Sequence, residues 1–280
     1  SFSSVHKVTL TTSTSIIRCT VAMKTPTSTR REALSIIAGG ATLALSPACL
    51  ANSKRRLPRL KFLVVSDTHL GYKNSASAEK KWIQAAAELK SATGDLVLHL
   101  GDIVDGGREE QYAVYLRERE KIGKPVYEIP GNHDPLVLFR KHIRKQVDVA
   151  VDYEWLKFVL VGNAHTDSHD GFLTDGQLQW IESQCIAAAK QQQYVMLCLH
   201  VPVRSNRHPD RGWYVKPEHG QTKLYDIIER HKQQIVAMIH GHFHNGIRGW
   251  KDDDGIHEIC LPAVLYNLDR GLEKQKAAGY

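Results

Sequence analysis

The chain has 280 residues, 42% hydrophobic and 24% charged, with a formal net charge of +7. That length suits one or two domains with a proper core. Part of the basic excess belongs to the N-terminus. Removing residues 1–51 takes away Lys7, Arg18, Lys24, Arg30, Arg31 and Glu32 and leaves 32 basic against 29 acidic residues, a net of +3. No basic field on the scale of nucleic-acid binding survives in the remainder, so no nucleic-acid polymer is expected as a partner.

In chain order, residues 1–22 are rich in Ser and Thr and precede the first methionine, Met23. Translation is expected to start there, with the 22 residues before it outside the natural protein. Residues 23–51 read as a signal peptide of the twin-arginine type. Thr29-Arg30-Arg31-Glu32-Ala33-Leu34 leads into an apolar run from Ala33 to Leu50, followed by small residues at Ala48-Cys49-Leu50-Ala51. Paired arginines, a short apolar region and small residues after it form an export signal. The run is short of the ~20 apolar residues of a spanning helix and contains Gly39, Gly40 and Pro47. The expected location is therefore exported, periplasmic or extracytoplasmic, with no stable membrane span in the mature protein. Lipid attachment at Cys49 is disfavoured by the poor match of Ser46-Pro47-Ala48 before it.

Residues 52–57, with Lys54-Arg55-Arg56, read as a linker, and 58–280 as one domain without internal repeats. Lys61 to Val65 is a buried-strand run ending at Ser66-Asp67. Trp82, Ile83, Ala86 and Leu89 recur at helical spacing within 78–91. A strand over Asp95 to Leu100 ends at Gly101-Asp102, a helix over Glu109 to Lys121 follows, and a strand over Pro125 to Ile129 ends at Gly131-Asn132. This β-α-β-α-β order predicts a layered α/β fold with crossover helices. Tyr153 to Val161 reads as one or two strands. A helix over Asp175 to Lys190 has Thr174 as N-cap and Gln177 as the partner in a capping box. A strand over Tyr194 to Leu199 ends at His200, and a polar loop from Arg204 to Gly220 leads to a helix over Lys223 to Gln233. The apolar run Ile235 to Ile239 ends at His240-Gly241-His242-Phe243-His244. Ile247 to Trp250 and Ile256 to Cys260 then suggest an antiparallel edge. The final residues, Ala277-Ala278-Gly279-Tyr280, lack a polar tail, so a truncated C-terminus is expected. Cys185, Cys198 and Cys260 lie in apolar settings and read as buried thiols rather than a disulfide framework.

Five strand ends carry chemistry. They are Asp67-x-His69, Gly101-Asp102-x-x-Asp105, Gly131-Asn132-His133-Asp134, His200 and Gly241-His242-x-His244. In open α/β sheets the ligand sits beyond the carboxyl ends of the strands. Residues two apart on an extended backbone share a face, so His242 and His244 can converge, with Gly241 allowing a tight turn. Mixed carboxylate and imidazole donors suit Mn, Fe or Zn.

This set resembles the calcineurin-like metallophosphoesterase family over Leu60 to about Ala263. The resemblance implies an α/β fold in a four-layer α/β/β/α sandwich with mixed sheets and two adjacent metal ions. By motif position, Asp67, His69, Asp102 and His244 would hold the first metal. Asp102, Asn132, His200 and His242 would hold the second. It further implies hydrolysis of phosphate esters by a metal-bridging hydroxide, with His133 as general acid and Asp105 orienting it. The Gly101 to Asp105 motif offers no tyrosine ligand of the purple acid phosphatase kind. Asp105 is followed by Gly106-Gly107-Arg108 rather than the Arg-Gly of the protein Ser/Thr phosphatases. The compact size looks more like the cyclic-nucleotide phosphodiesterase branch. Arg204, Arg207 and Trp213, in the loop after His200, are candidate contacts for a nucleotide-like small ester. The alternatives are a broad phosphomonoesterase and, from another class, a metal-free binding scaffold of the same fold. Oligomeric state is not addressed by the sequence.

Overall fold

The computed structural model describes residues 5–12, 16–23, 59–74, 76–204, 212–244, 248–251 and 257–265. In chain order the elements are β1 (Val5–Thr12), β2 (Ile17–Met23), β3 (Arg59–Val65), α1 (Ala76–Ser91), β4 (Val97–His99), α2 (Glu109–Glu120), β5 (Val126–Glu128) and α3 (Leu136–His142). Then follow β6 (Val149–Tyr153), β7 (Leu156–Val161), α4 (Asp175–Lys190), β8 (Tyr194–Leu199), α5 (Gln221–Arg230), β9 (Ile235–His240), β10 (Arg248–Lys251) and β11 (His257–Cys260).

They build two sheets, ordered β1-β2-β3-β4-β5 and β10-β11-β9-β8-β7-β6. Strands β3, β4 and β5 run parallel, as do β7, β8, β9 and β11, while β2, β6 and β10 pair antiparallel. Alternation along each strand assigns the layers. In β3, Phe62 and Val64 join the core between the sheets, where Phe62 meets Phe158 edge-on at 4.7 Å. Leu63 and Val65 face the other way and pack with Trp82, Leu89, Tyr112 and Tyr115 of α1 and α2. In β8, Met196 and Cys198 belong to the inter-sheet core, and Val195, Leu197 and Leu199 pack with α4 and α5. The result is the expected α/β/β/α sandwich with mixed sheets.

Local signals hold where they have a physical partner. Thr174 Oγ1 accepts from the Gln177 N–H at 3.2 Å, and Gln177 Oε1 accepts from the Thr174 N–H at 3.1 Å. That closes the capping box of α4. Cys185, Cys198 and Cys260 are free and buried, and burial pushes the Cys185 thiol up to about 12. The region over 153–161 resolves into the end of one strand and the whole of the next, β6 and β7.

Residues 1–22, expected to precede the natural start at Met23, take part in the fold. Here they supply β1 and most of β2, which pairs antiparallel to β3, and Ile16 is buried beside α1. The segment read as signal peptide after Met23, and the linker at 52–57, lie outside the described residues, as does the C-terminal stretch from 266. Helix α3 was not anticipated. Its seven residues are too few to show periodicity, and Pro135 at its N-cap gives no side-chain cap. Among the described residues no helix is long and apolar enough to cross a membrane.

Candidate metal centre

The parallel strands deliver their C-terminal ends to one edge of the sandwich. Loops at the ends of β3 and β4 are stitched together: the Asp67 N–H donates to Gly101 O at 2.9 Å and the His69 N–H to Asp102 O at 2.9 Å. The Asp134 carboxylate accepts from the Ile103, Val104 and Gly131 N–H groups at 2.9–3.0 Å, tying in the end of β5. Burial and the nearby Asp102 push Asp134 up to about 6. From the second sheet, the Gly241 N–H donates to His200 O at 3.1 Å.

Two buried donor sets form at this junction. Asp67, His69, Asp102 and His244 make one, and Asp102, His200 and His242 make the other, each with ligand atoms within 4.8 Å of one another. Asp102 is common to both. Asn132 Oδ1 lies 3.3 Å from His200 Nε2, which joins it to the second set. Imidazole nitrogens face one another in each, His69 Nε2 to His244 Nε2 at 2.9 Å and His200 Nε2 to His242 Nδ1 at 3.2 Å. Two buried carboxylates and four converging imidazoles are costly to enclose without a cation, so the donor set fits two metal ions of the Mn, Fe or Zn kind.

The surrounding bonds select the tautomers. The His200 Nδ1–H donates to Leu100 O at 2.6 Å, leaving Nε2 for the cluster. The His69 Nδ1–H donates to Asp105 Oδ1 at 3.1 Å with the same consequence. Burial pushes the Asp102 carboxyl up, but His200 and His69 outweigh it and hold it well below the carboxylate range. Burial likewise opposes ionisation of Asp67, and His244 outweighs it. Burial disfavours a charged His200, yet Asp102 and Asp67 raise it to about 9.

Backbone strain concentrates here. Asp67, His69, Asp102, His242 and His244 all have positive φ, between 43° and 75°. L-residues rarely occupy that region, and they persist in it where surrounding structure over-determines the site. This corrects one expectation. His242 and His244 do not converge by strand alternation: β9 ends at His240, and two left-handed residues send the imidazoles to different donor sets. Nor does Gly241 supply the turn through its own φ. A Cβ there would collide with Ser66 Oγ and the Asp67 carboxylate, so glycine permits close approach.

At the rim, Asp105 Oδ1 lies 3.0 Å from His133 Nδ1. Burial works against a charged His133, but Asp105 and Asp102 raise its pKa above the usual imidazole value. His133 also borders a cavity of about 460 Å³, walled by Asn132 and Pro135 on one side and by Thr166 to His169 on the other. Of the candidate substrate contacts, Trp213 lies 5.3 Å from His242, ring to ring. Arg204 is half-buried, its N–H held by Glu258 at 2.9 Å. Arg207 lies outside the described residues. Sequence reasoning missed His169, whose ring stacks on Trp213 at 4.1 Å. The polar cluster Asp167-Ser168-His169-Asp170, following the same end of β7, was the available signal.

Residues 60–246 match the sequence profile of the calcineurin-like phosphoesterase family, and the chain belongs to that family. It is 24% identical over 179 residues to a 3′,5′-cyclic-nucleotide phosphodiesterase from Nostoc, covering 62% of this chain and 64% of that one. It is 28% identical over 162 residues to a glycerophosphodiester phosphodiesterase from Enterobacter lignolyticus, covering 54% and 56%. The chain thus spans under two thirds of either relative. A dimetal phosphatase from Danio rerio shares the fold, with TM-score 0.62, 15% identity and coverage of 74% of this chain and 88% of that one. The protein is a phosphoric ester hydrolase by family.

Proposed function

We propose that this chain hydrolyses small phosphodiesters of nucleotide-like type with two bound divalent or mixed-valence metal ions. The observation that carries the reading is the sharing of Asp102 between two buried donor sets, with His133 beside them at the mouth of a cavity. When bound, the metal pair would supply Lewis acidity toward the phosphoryl oxygens and an activated water. Asp67, His69, Asp102 and His244 would hold one ion, and Asp102, Asn132, His200 and His242 the other. Asp105 fixes His133 through Nδ1, leaving Nε2 to protonate the leaving oxygen. The cavity volume lies in the range that accommodates a small ester. The two relatives named as phosphodiesterases support a diester over a monoester. The twin arginine at Arg30-Arg31 supports export, which N-terminal sequencing of protein recovered outside the cytoplasm tests.

The direct test compares bis(p-nitrophenyl) phosphate with p-nitrophenyl phosphate, and with the alkyl diester glycerophosphoethanolamine, on Mn-loaded enzyme with His133→Gln beside it. We expect preference for the diester. In the variant the loss is about 10²–10⁴-fold for alkyl esters and smaller for nitrophenyl esters, whose leaving group needs little protonation. A monoester preference moves the assignment to a broad phosphomonoesterase. An equal loss on all leaving groups removes the acid role from His133.

A further inference from the structure

The segment at 162–173, between β7 and α4, has no role in the mechanism above, yet it is built with care. The Phe172 N–H donates to Asn163 O at 2.8 Å, the Leu173 N–H to His219 O at 2.9 Å and the Gly171 N–H to Tyr214 O at 3.3 Å. Asn163 is buried, and its Oδ1 accepts from the N–H groups of His200 and Val201 at 3.0 Å. Lys216 reaches Asp170 at 2.7 Å. The segment is therefore locked to the strand end that carries His200.

What it presents is His169. The imidazole is exposed, and it lies nearly parallel to Trp213, centroids 4.1 Å apart and planes 18° from one another. Asn132 Nδ2 donates to His169 Nδ1 at 3.4 Å, which fixes the tautomer and leaves the His169 Nε2–H as a donor. His169 and His133 both line the 460 Å³ cavity. A leaving group protonated by His133 would therefore lie against the cavity that His169 also lines.

We propose that His169, backed by Trp213, is the specificity-determining wall of this site and selects esters whose organic group carries a flat ring, a nucleobase or aryl ring. The inference rests on the phosphoesterase reading. Preorganised aromatic surface offers stacking without an ordering cost, and such stacking tolerates any base because every base has a π-face. An aliphatic alcohol gains little from it.

The test uses the Mn-loaded full chain, with His169→Ala and His169→Phe. Calorimetry reads the affinities of 5′-AMP and inorganic phosphate, and turnover is compared for cyclic AMP and glycerophosphoethanolamine. The wild type binds 5′-AMP more tightly than phosphate. His169→Ala narrows that gap roughly tenfold and His169→Phe keeps it, because the ring is what matters. Equal weakening of both ligands in His169→Ala would mean that His169 acts only through Asn132. That outcome overturns the proposal, as does an unchanged gap or no 5′-AMP preference in the wild type. If neither diester is turned over, the phosphodiesterase reading fails while the affinity comparison still decides the wall.

Discussion

Asp102 belongs to both donor sets, and its two oxygens divide the work. Oδ1 accepts from the His133 N–H at 2.9 Å, while Oδ2 lies 3.3–3.4 Å from His200 and His69. One carboxylate thus meets candidate ligands of both donor sets and the backbone of the general-acid candidate. The residue scale also fixes a pH dependence. His200, raised to about 9, carries a proton at neutral pH in the metal-free site, and a metal must displace it to bind Nε2. Metal affinity should therefore weaken on acidification below pH 9, about tenfold per unit for each proton released. Affinities measured by calorimetry in buffers of different ionisation enthalpy read this, and a flat profile between about pH 6 and 9 would contradict it. The candidate donors were legible as a set because their types follow apolar runs. The conformations were not, because positive φ at five non-glycine residues is a tertiary outcome that no local propensity predicts.

At the element scale, the glycine after β9 matters for space. Gly241→Ala pushes a methyl against Ser66 and Asp67, between the two sheets' contributions to the site. We expect weakened metal binding together with destabilisation of about 1–3 kcal/mol, followed by metal titration and thermal unfolding. A variant with native metal affinity would show that the approach is slack. Elements with a complete local signal, such as α4 with its capping box, were readable to the residue. Others were set by context. Strand β4 is only three residues of a six-residue run, Asp95 to Leu100, because pairing with β3 and β5 decides its ends. Strands β1 and β2 were passed over because Ser- and Thr-rich sequence before a methionine carries no core pattern; what orders them is the free edge of β3.

Across the whole molecule, three apolar layers hold the two sheets and their helices in register, and the candidate metal ligands come from both sheets. Asp67, His69, Asp102 and Asn132 follow β3, β4 and β5, while His200, His242 and His244 follow β8 and β9. The site exists only if the sheets pack. Phe62, fully buried against Phe158 across that interface, is the place to test this. Phe62→Ala should cost about 3–5 kcal/mol in denaturant unfolding. It should also lower metal affinity although no ligand is touched. Stability loss with unchanged affinity would mean that one sheet suffices to build the site.

The two-metal reading stands or falls on the metal stoichiometry of the purified chain, read by elemental analysis and Mn titration for wild type and Asp102→Asn. A carboxylate shared between two donor sets predicts two ions per wild-type chain and occupancy in Asp102→Asn reduced at both positions at once. Ester hydrolysis should disappear on chelation and return with metal. A wild-type chain that takes up no metal, or hydrolyses esters equally well without it, would contradict that reading.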